Sequence, residues 1–519
     1  MSHNRLNWIA FAMVANLVWP ALALAWDPLD PSAATFGELG VGLQNRPATW
    51  VDVHGDFRMR SEGLYNFDLD RGPTPSGALL FAVPLSDPKG QWLYRTDFRG
   101  RSDVAVHAPG GQVAFRMRLD VLNNAPAGTA GTGEATTVVL RRAWGEVLLP
   151  FGVLAAGRMG SHWGMGLLSH GGDCADCNTG DAADRIALVS PLFGHLLAVA
   201  YDFSGVSVQS QAQATGRFLD LDPQSDVRSA TVALLQWRGK DAILRRLSAG
   251  QSTLDYGLSG SYQWQDVAFP TSVVQPTAAQ AIPRHLRAAA SDLWLRYVQE
   301  NWRIELEGAY LWSQVDQPSL MPGVLYRTSV QAQQWGAALQ QEWGNLQQGL
   351  GIGVDAGVAS GDPAPGFSPP GNGLLSYGKP GDFLAGQVNV PHDNRADDFH
   401  FHPDFHVDEI LFRNLIGTVT DAAYLRPHAR WRWADFGAGR LDLRVAAVAS
   451  TALYASSTPG GARPLGVEID PSVDYWSRDG FGIALHSGIL FPLSGLDNRQ
   501  MALAAHWAGM VSARIHYRF

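Results

Sequence analysis

Only two cysteines, Cys174 and Cys177, occur in 519 residues, and charged side chains make up just 17% of the chain. With no second cysteine pair, a cysteine-built zinc site is excluded. Beyond Ala25 no segment reaches the roughly 18 consecutive apolar residues that a membrane-spanning helix requires. Long helical periodicity is equally scarce. A serine-hydrolase elbow of the G-x-S-x-G type is missing. The stretch Gly373-Leu-Leu-Ser-Tyr-Gly-Lys falls short of a phosphate loop, because Pro380 stands where Ser or Thr is required. No Ser–His pair stands out on an outward face, so a barrel-embedded lipase has no support and no enzyme is expected. What the chain does have is 56 Gly and 18 Trp, an odd mixture for a soluble enzyme of this length. Lipid tolerates only helices and closed barrels, so a membrane protein without apolar helices must be a barrel.

The two ends agree. Arg5, the apolar stretch from Trp8 to Val18 and the small-x-small site Ala23-Leu24-Ala25 form a secretory signal peptide over 1–25, with the mature chain starting at Trp26. Residues 26–49 are expected to be an N-terminal periplasmic segment, and 50–519 the barrel. At the other end Val511, Ala513, Ile515, Tyr517 and Phe519 alternate with Ser512, Arg514, His516 and Arg518. This closing strand resembles the C-terminal signature of bacterial outer-membrane barrels. The resemblance implies the barrel-assembly machinery as a partner that reads the strand ending in Phe519.

Transmembrane strands alternate lipid-facing apolar with lumen-facing polar residues over about ten positions. Val51, Val53, Phe57 and Met59 interleave with Asp52, His54, Asp56, Arg58 and Arg60, and Val113, Phe115, Met117 and Leu119 with Arg116, Arg118 and Asp120. Such runs fall near 50–64, 91–106, 111–124, 136–149, 152–163, 184–193, 195–205, 226–238 and 250–267. Others fall near 289–299, 301–315, 329–344, 347–360, 418–434, 439–455, 464–477, 479–492 and 505–519. The predicted fold is an all-β transmembrane antiparallel barrel of eighteen strands, with sixteen as the alternative count. Long connections alternate with short ones such as Pro150-Phe-Gly, as outer loops alternate with periplasmic turns.

Two stretches carry a more specific likeness. One holds Arg142-Ala-Trp-Gly-Glu-Val, Gly157-Arg-Met-Gly, Ser161-His-Trp-Gly-Met-Gly and Cys174-Ala-Asp-Cys-Asn-Thr-Gly-Asp. The other runs from Phe399 through Phe401, Phe405 and Arg413 into Gly417-Thr-Val-Thr-Asp, followed by Leu465-Gly-Val-Glu-Ile-Asp and Asp479-Gly-Phe-Gly. Together they resemble an uncharacterised myxobacterial outer-membrane family and, more distantly, the alginate-export barrels. The latter likeness implies eighteen strands and a positively charged lumen.

Three groups of residues are candidates for function. Inward parity assigns Arg58, Arg60, Arg95, Arg99, Arg101, Arg116, Arg118, Arg142 and Arg158 to the lumen, joined near the closing seam by Arg426, His428, Arg430, Arg432, Arg444 and Arg514. Guanidinium forks match carboxylates and phosphates, so this ladder favours anionic solutes. Asp52, Asp56, Asp97, Asp120, Glu146, Asp355 and Asp442 share those faces, and a mixed ion-pair network filling the wall is the competing account. In the second group, the oxidising compartment makes Cys174 and Cys177 a loop-closing disulfide. Beside it Asp173, Asp176, Asn178, Asp181 and Asp184 offer oxygens that a structural Ca²⁺ could take, against the alternative of solvated loop acids. The third is the segment 361–417, where His392, His400, His402 and His406 lie among Asp393, Asp397, Asp398, Asp404 and Asp408. A constriction or plug is the leading reading of this segment, with a transition-metal site as the lesser one.

The expected function is a porin-like channel in the bacterial outer membrane. It would pass small or polymeric anionic solutes by diffusion, with membrane lipid as a partner and no nucleic acid. A non-transporting barrel with a closed lumen is the runner-up.

Overall fold

The computed structural model describes the chain except residues 1–33, 46, 87–90, 129–137, 204–209, 214, 270–276, 319–327, 345–348, 368–378 and 384–393. The expected signal peptide, His392, Asp393 and most of the 373–379 stretch therefore lie outside the described residues.

A short helix, α1 (Ala34–Glu38), precedes the first strands: β1 (Trp50–Tyr65), β2 (Trp92–His107), β3 (Val113–Pro126), β4 (Val138–Leu149) and β5 (Gly152–Gly160). Next come β6 (Ala182–Leu192), β7 (His195–Phe203), the small hairpin β8 (Ser210–Ala212) and β9 (Phe218–Asp220), and β10 (Arg228–Gln236). After α2 (Lys240–Ser248) follow β11 (Thr253–Ala268), β12 (Ile282–Gln299), β13 (Trp302–Val315), β14 (Val330–Gly344) and β15 (Leu350–Ala359). The last five are β16 (Ala422–Asp435), β17 (Gly439–Ala452), β18 (Pro464–Ser477), β19 (Phe481–Pro492) and β20 (Ala508–Arg518).

Apart from the β8–β9 hairpin, these strands form one 18-stranded antiparallel sheet. β7 pairs with β10 across the hairpin, and β20 pairs with β1 from Asp56↔Arg518 to Tyr65↔Gly509, so the sheet has no free edge. Closure satisfies the backbone groups that lipid cannot. All eighteen expected strands are present. The largest boundary difference is β12, which starts at Ile282 rather than near 289, shortening that outer loop. The longest inner turn, 239–249, folds as α2, whose Ile243 and Leu247 pack on Val298.

Period-2 alternation sets the two surfaces. On β1 the outward Val51, Val53 and Phe57 are exposed, while the inward Arg58, Arg60, Glu62 and Leu64 are buried. Outward Leu258, Leu293, Ile352, Val445, Ile483 and Val511 continue the apolar outer belt around the barrel. The connections 66–91, 161–181 and 360–421 open on one rim, and two- or three-residue turns such as 150–151, 300–301 and 478–480 on the other.

The interior is occupied. Outer-loop residues Phe67, Leu69, Phe367, Phe383, Phe399, Phe401, Ile410 and Phe412 share an apolar core with wall residues Ala338, Ala359, Ala422 and Leu465. At the other side, the described part of the N-terminal segment also lies inside the wall. Phe36 packs with Ala155, Met159, Ala187, Ala198, Ala200 and Ala233. The Gly40 amide donates to Glu146 Oε2 at 3.0 Å. The segment expected as periplasmic is thus held in the lumen by these contacts.

Candidate functional site

Of the 39 basic residues, all but Lys89, Lys240 and Lys379 are arginine. The planar fork explains the preference, because it grips a carboxylate directly opposite on the neighbouring strand with two bonds. Arg101 donates to Asp120 at 2.8 and 3.0 Å, and Arg118 to Asp103 at 2.7 and 2.9 Å. Both pairs are register partners between β2 and β3. Arg185 holds Asp202 in the same way at 2.6 and 2.8 Å between β6 and β7. Arg58 and Arg60 share Asp97, Arg99 pairs with Asp56, and Arg116 with Glu146. Arg95 meets Glu62 and Asn414. Towards the closing seam Arg426 pairs with Asp355, Arg430 with Glu342, Arg432 with Asp442, and Arg444 with Asp474. The arginines face inward, and each of these is paired with a carboxylate, as an ion-pair network in the wall requires.

A loop is seated in this ladder. The segment 161–181 leaves β5, folds into the lumen and presents a tip closed by the Cys174–Cys177 disulfide. The carbonyl oxygen of Cys177 accepts from Arg99 at 2.6 Å and Arg58 at 3.1 Å, and that of Gly172 from Arg101 at 2.7 Å. Asn178 Oδ1 accepts from Arg60 at 2.8 Å. Asp173 pairs with Arg118 and Arg142. Asp176 takes Arg60 at 3.1 Å, Arg514 at 2.8 Å and Arg413. Burial alone would raise both carboxyls, but these guanidinium groups outweigh it and hold them well below the usual carboxylate range.

The segment 399–421 braces the tip from the outer side. Asp404 accepts from the amides of Asn178 and Thr179 at 2.8 and 3.0 Å and from the Thr179 hydroxyl at 2.7 Å. Inward Glu468 of β18 accepts from the amides of Glu409, Ile410 and Leu411 at 2.7–3.0 Å, which fixes the start of a π-helical turn, Leu411–Ile416, carrying Arg413. His486 of β19 bridges Glu409 at 3.1 Å and Asp474 at 3.2 Å. Between the two segments, His170 stacks on His402 at 5.4 Å and meets His162 edge-on at 4.9 Å. His170 Nδ1 accepts the Gly172 amide and His402 Nδ1 that of Asp404, both at 3.0 Å. Burial and then His162 push His170 down to about 3, and burial and then Arg413 push His406 down to about 4.

Arg58, Arg60, Arg95, Arg99, Arg116, Arg118, Arg142, Arg430, Arg432 and Arg444 stand where parity predicts. Arg158 does not. It shares the outward face of β5 with Leu154 and Ala156, is 53% exposed, and pairs with Asp184 opposite it on β6. The parity rule lapses there because the inward face of β5 is apolar as well, with buried Ala155 and Met159. The oxygens of Asp173, Asp176, Asn178 and Asp181 do not converge on a cation position. The first three face guanidinium groups, and Asp181 accepts from the His170 amide at 3.1 Å. Among the described residues the grouping with ligand spacing is His170, Cys177 and Asp404, and its sulfur is tied up in the disulfide. His400 lies apart from this group against the carbonyls of Phe367 and Asp398.

Two contributors, Arg141 and Arg413, were not foreseen, and Asp404 was expected only among the acids of a metal site, not as a brace for the tip. Arg141 reaches Asp120 at 3.1 Å because a register shift at Arg118/Leu119 turns both it and Arg142 to lumen acceptors. Arg413 sits on a turn without strand parity, and Asp404 is one acid among many in its segment. The expected constriction is shared between 399–421 and the disulfide loop, and it is the loop that meets the ladder. Beside its tip lies a cavity of about 620 Å³ lined by Arg101, Arg118, Arg141, Arg142, Asp181 and Ser229, among others.

No protein-family profile matches this chain. No curated protein matches it either. Among solved structures it is similar in fold to the outer-membrane protein OpdK of Pseudomonas aeruginosa (10% identity, 90% of this chain and 98% of that one, TM-score 0.43). A BenF-like porin of Pseudomonas fluorescens gives the same figures. An anion-selective porin of Comamonas acidovorans is 11% identical over 91% of this chain and 100% of its own, with a TM-score of 0.34. On its own closed sheet and apolar outer belt, this chain is an outer-membrane β-barrel.

Proposed function

We propose that this barrel is a constricted channel for small anionic solutes. The observation that carries this reading is the seated loop: every group it offers to the β1–β4 wall is an acceptor, a carbonyl oxygen or a carboxylate. A wall that holds those groups with arginine forks holds a carboxylate or phosphate solute by the same bonds. The neighbouring cavity gives a small solute room beside Arg101, Arg118 and Arg142. Three inward segments leave a polymer strand less space than the open ladder suggested, so small solutes are preferred over polymers.

A second reading, a closed barrel acting through its outer surface, is favoured by a different observation. Arg58 and Arg99 are at most 1% exposed, and the outer mouth carries an apolar core. Single-channel conductance in a planar bilayer under a salt gradient separates the two. Steady conductance with an anion-favouring reversal potential supports the channel. A cation-favouring potential sinks the anion preference. Silence, even after residues 172–179 are deleted, leaves the closed barrel.

A further inference from the structure

Three guanidinium groups from distant parts of the chain meet on one carboxylate. Arg60 comes from β1, Arg514 from β20 and Arg413 from the turn in the 399–421 segment, and their side chains are 7%, 5% and 8% exposed. One fork suffices to bind a carboxylate, so three around Asp176 form an anion site whose parts belong mainly to the wall. Three residues earlier on the same tip, Asp173 faces a second pair, Arg118 and Arg142. The tip therefore shows two carboxylates to two sets of arginines, as a small dicarboxylate would.

We propose that residues 172–178 are a tethered occupant of this site, and that free carboxylates compete with Asp176 for Arg60, Arg413 and Arg514. The tip is one compact unit, closed covalently at Cys174–Cys177 and hinged on the glycine-rich stretch Gly171-Gly172, where Gly172 has φ +71°. Its seat on the far side is the set of Asp404 bonds to Asn178 and Thr179. Displacement exchanges Asp176 for a solute carboxylate on the same donors, so no buried guanidinium is left without an anion. The constriction is then opened by the solute that the channel carries. This deepens the anion-channel reading and rests on it for its meaning, although the site is measurable without transport.

The test uses the full-length refolded protein in detergent with succinate, followed by titration calorimetry. Asp176→Asn removes the occupant's charge, and succinate should bind about tenfold more tightly than to the wild type. Adding Arg413→Gln should return the affinity to the wild-type level or below. Asp435→Asn, exposed at a turn on the opposite rim, should match the wild type. Equal succinate affinity in wild type and Asp176→Asn overturns the proposal. A second measurement needs no variant. The amides of Asn178 and Thr179 donate to Asp404 while the tip is seated, so their hydrogen exchange should speed up as succinate is raised at constant ionic strength. A rate indifferent to succinate overturns the proposal as well. Tighter binding with no conductance in either protein removes the channel and leaves the site standing.

Discussion

On β1 to β3 the inward positions carry Arg58, Arg60, Arg99, Arg101, Arg118 and Asp120, whereas on β5, β6, β7 and β10 they carry Ala155, Ala187, Val189, Ala198, Ala200 and Ala233. The first sector is filled by a loop tip that offers carbonyls and carboxylates. The second is filled by α1, which offers Phe36. Both sectors end up buried, but the charged one is held mainly by directional bonds that another anion could inherit, and the apolar one mainly by area, with a few bonds such as Gly40 to Glu146 and His162 to Thr35 at its margin. The sectors differ in length too: β1 and β2 have 16 residues each, and β5, β7 and β10 have 9. Exchange chemistry belongs to the long charged sector, and the short apolar one works as a fixed seat for the N-terminal segment.

The harshest way to break this contrast is to put the chemistry of one sector into the other. Ala198 is fully buried and sits in register with Val189 and Ala233. Ala198→Arg would bury an uncompensated charge under Phe36, at a cost of about 3–5 kcal/mol. The expected outcome is expulsion of residues 34–45 from the wall with the barrel still closed. Limited proteolysis of the N-terminal segment reads it, and unchanged protection would show that the seat is not apolar in effect. The opposite change, Arg101→Ala, leaves Asp120 its second partner, Arg141, and should cost less.

Strand positions were legible because lipid and lumen impose period 2 on every long strand, and the charged residues of β1, β2 and β3 mark their parity outright. The same signal weakens on β5 to β10, where the inward face is mostly alanine and valine and only a few polar residues such as Arg185 and Asp202 mark it. Arg158 was misassigned for that reason. The loop's place in the ladder was not legible at all, since nothing local in Asp173 or Asp176 tells whether a carboxylate will meet Ca²⁺, water or arginine. That depends on pairings more than a hundred residues apart, such as Arg60 with Asp176 and Arg514 with Asp176.

Acid sharpens the comparison between the 161–181 loop and the stretch 408–421, because His170 is lowered whereas Asp408 and Asp421 are raised, His406 siding with His170. Burial and His162 hold the docked His170 down at about 3, against about 6.5 when released. Docking of the 161–181 loop is therefore fully favoured above pH 6.5, and weakens by roughly tenfold per pH unit as pH falls towards 3. In the 399–421 segment, burial raises Asp408 to about 6 and Asp421 to about 7. Those groups favour docking at low pH and lose that contribution as pH rises through 6 to 7. Amide exchange corrected for intrinsic rates should thus speed up in 161–181 and slow down in 408–421 between pH 6.5 and 4. Parallel changes in both would mean that the segments move as one body.

The smallest effect is expected where an arginine looks most like a member of the ladder and is not one. Arg158 and Asp184 are bonded at 2.8 and 2.9 Å, as closely as Arg101 and Asp120, but they are 53% and 43% exposed on the outer face near the loop-bearing rim. An outward charge near the membrane interface contributes only about 0–1 kcal/mol. Arg158→Gln, which touches only the edge of the cavity beside Arg118 and Arg142, should leave succinate binding at the wild-type value and shift the reversal potential least, while Arg118→Gln, with Asp103 and Asp173 as partners, should shift both. If the two variants shifted selectivity equally, net charge would be setting it rather than the inward wall, and the distinction between the two faces of the barrel would carry no functional weight.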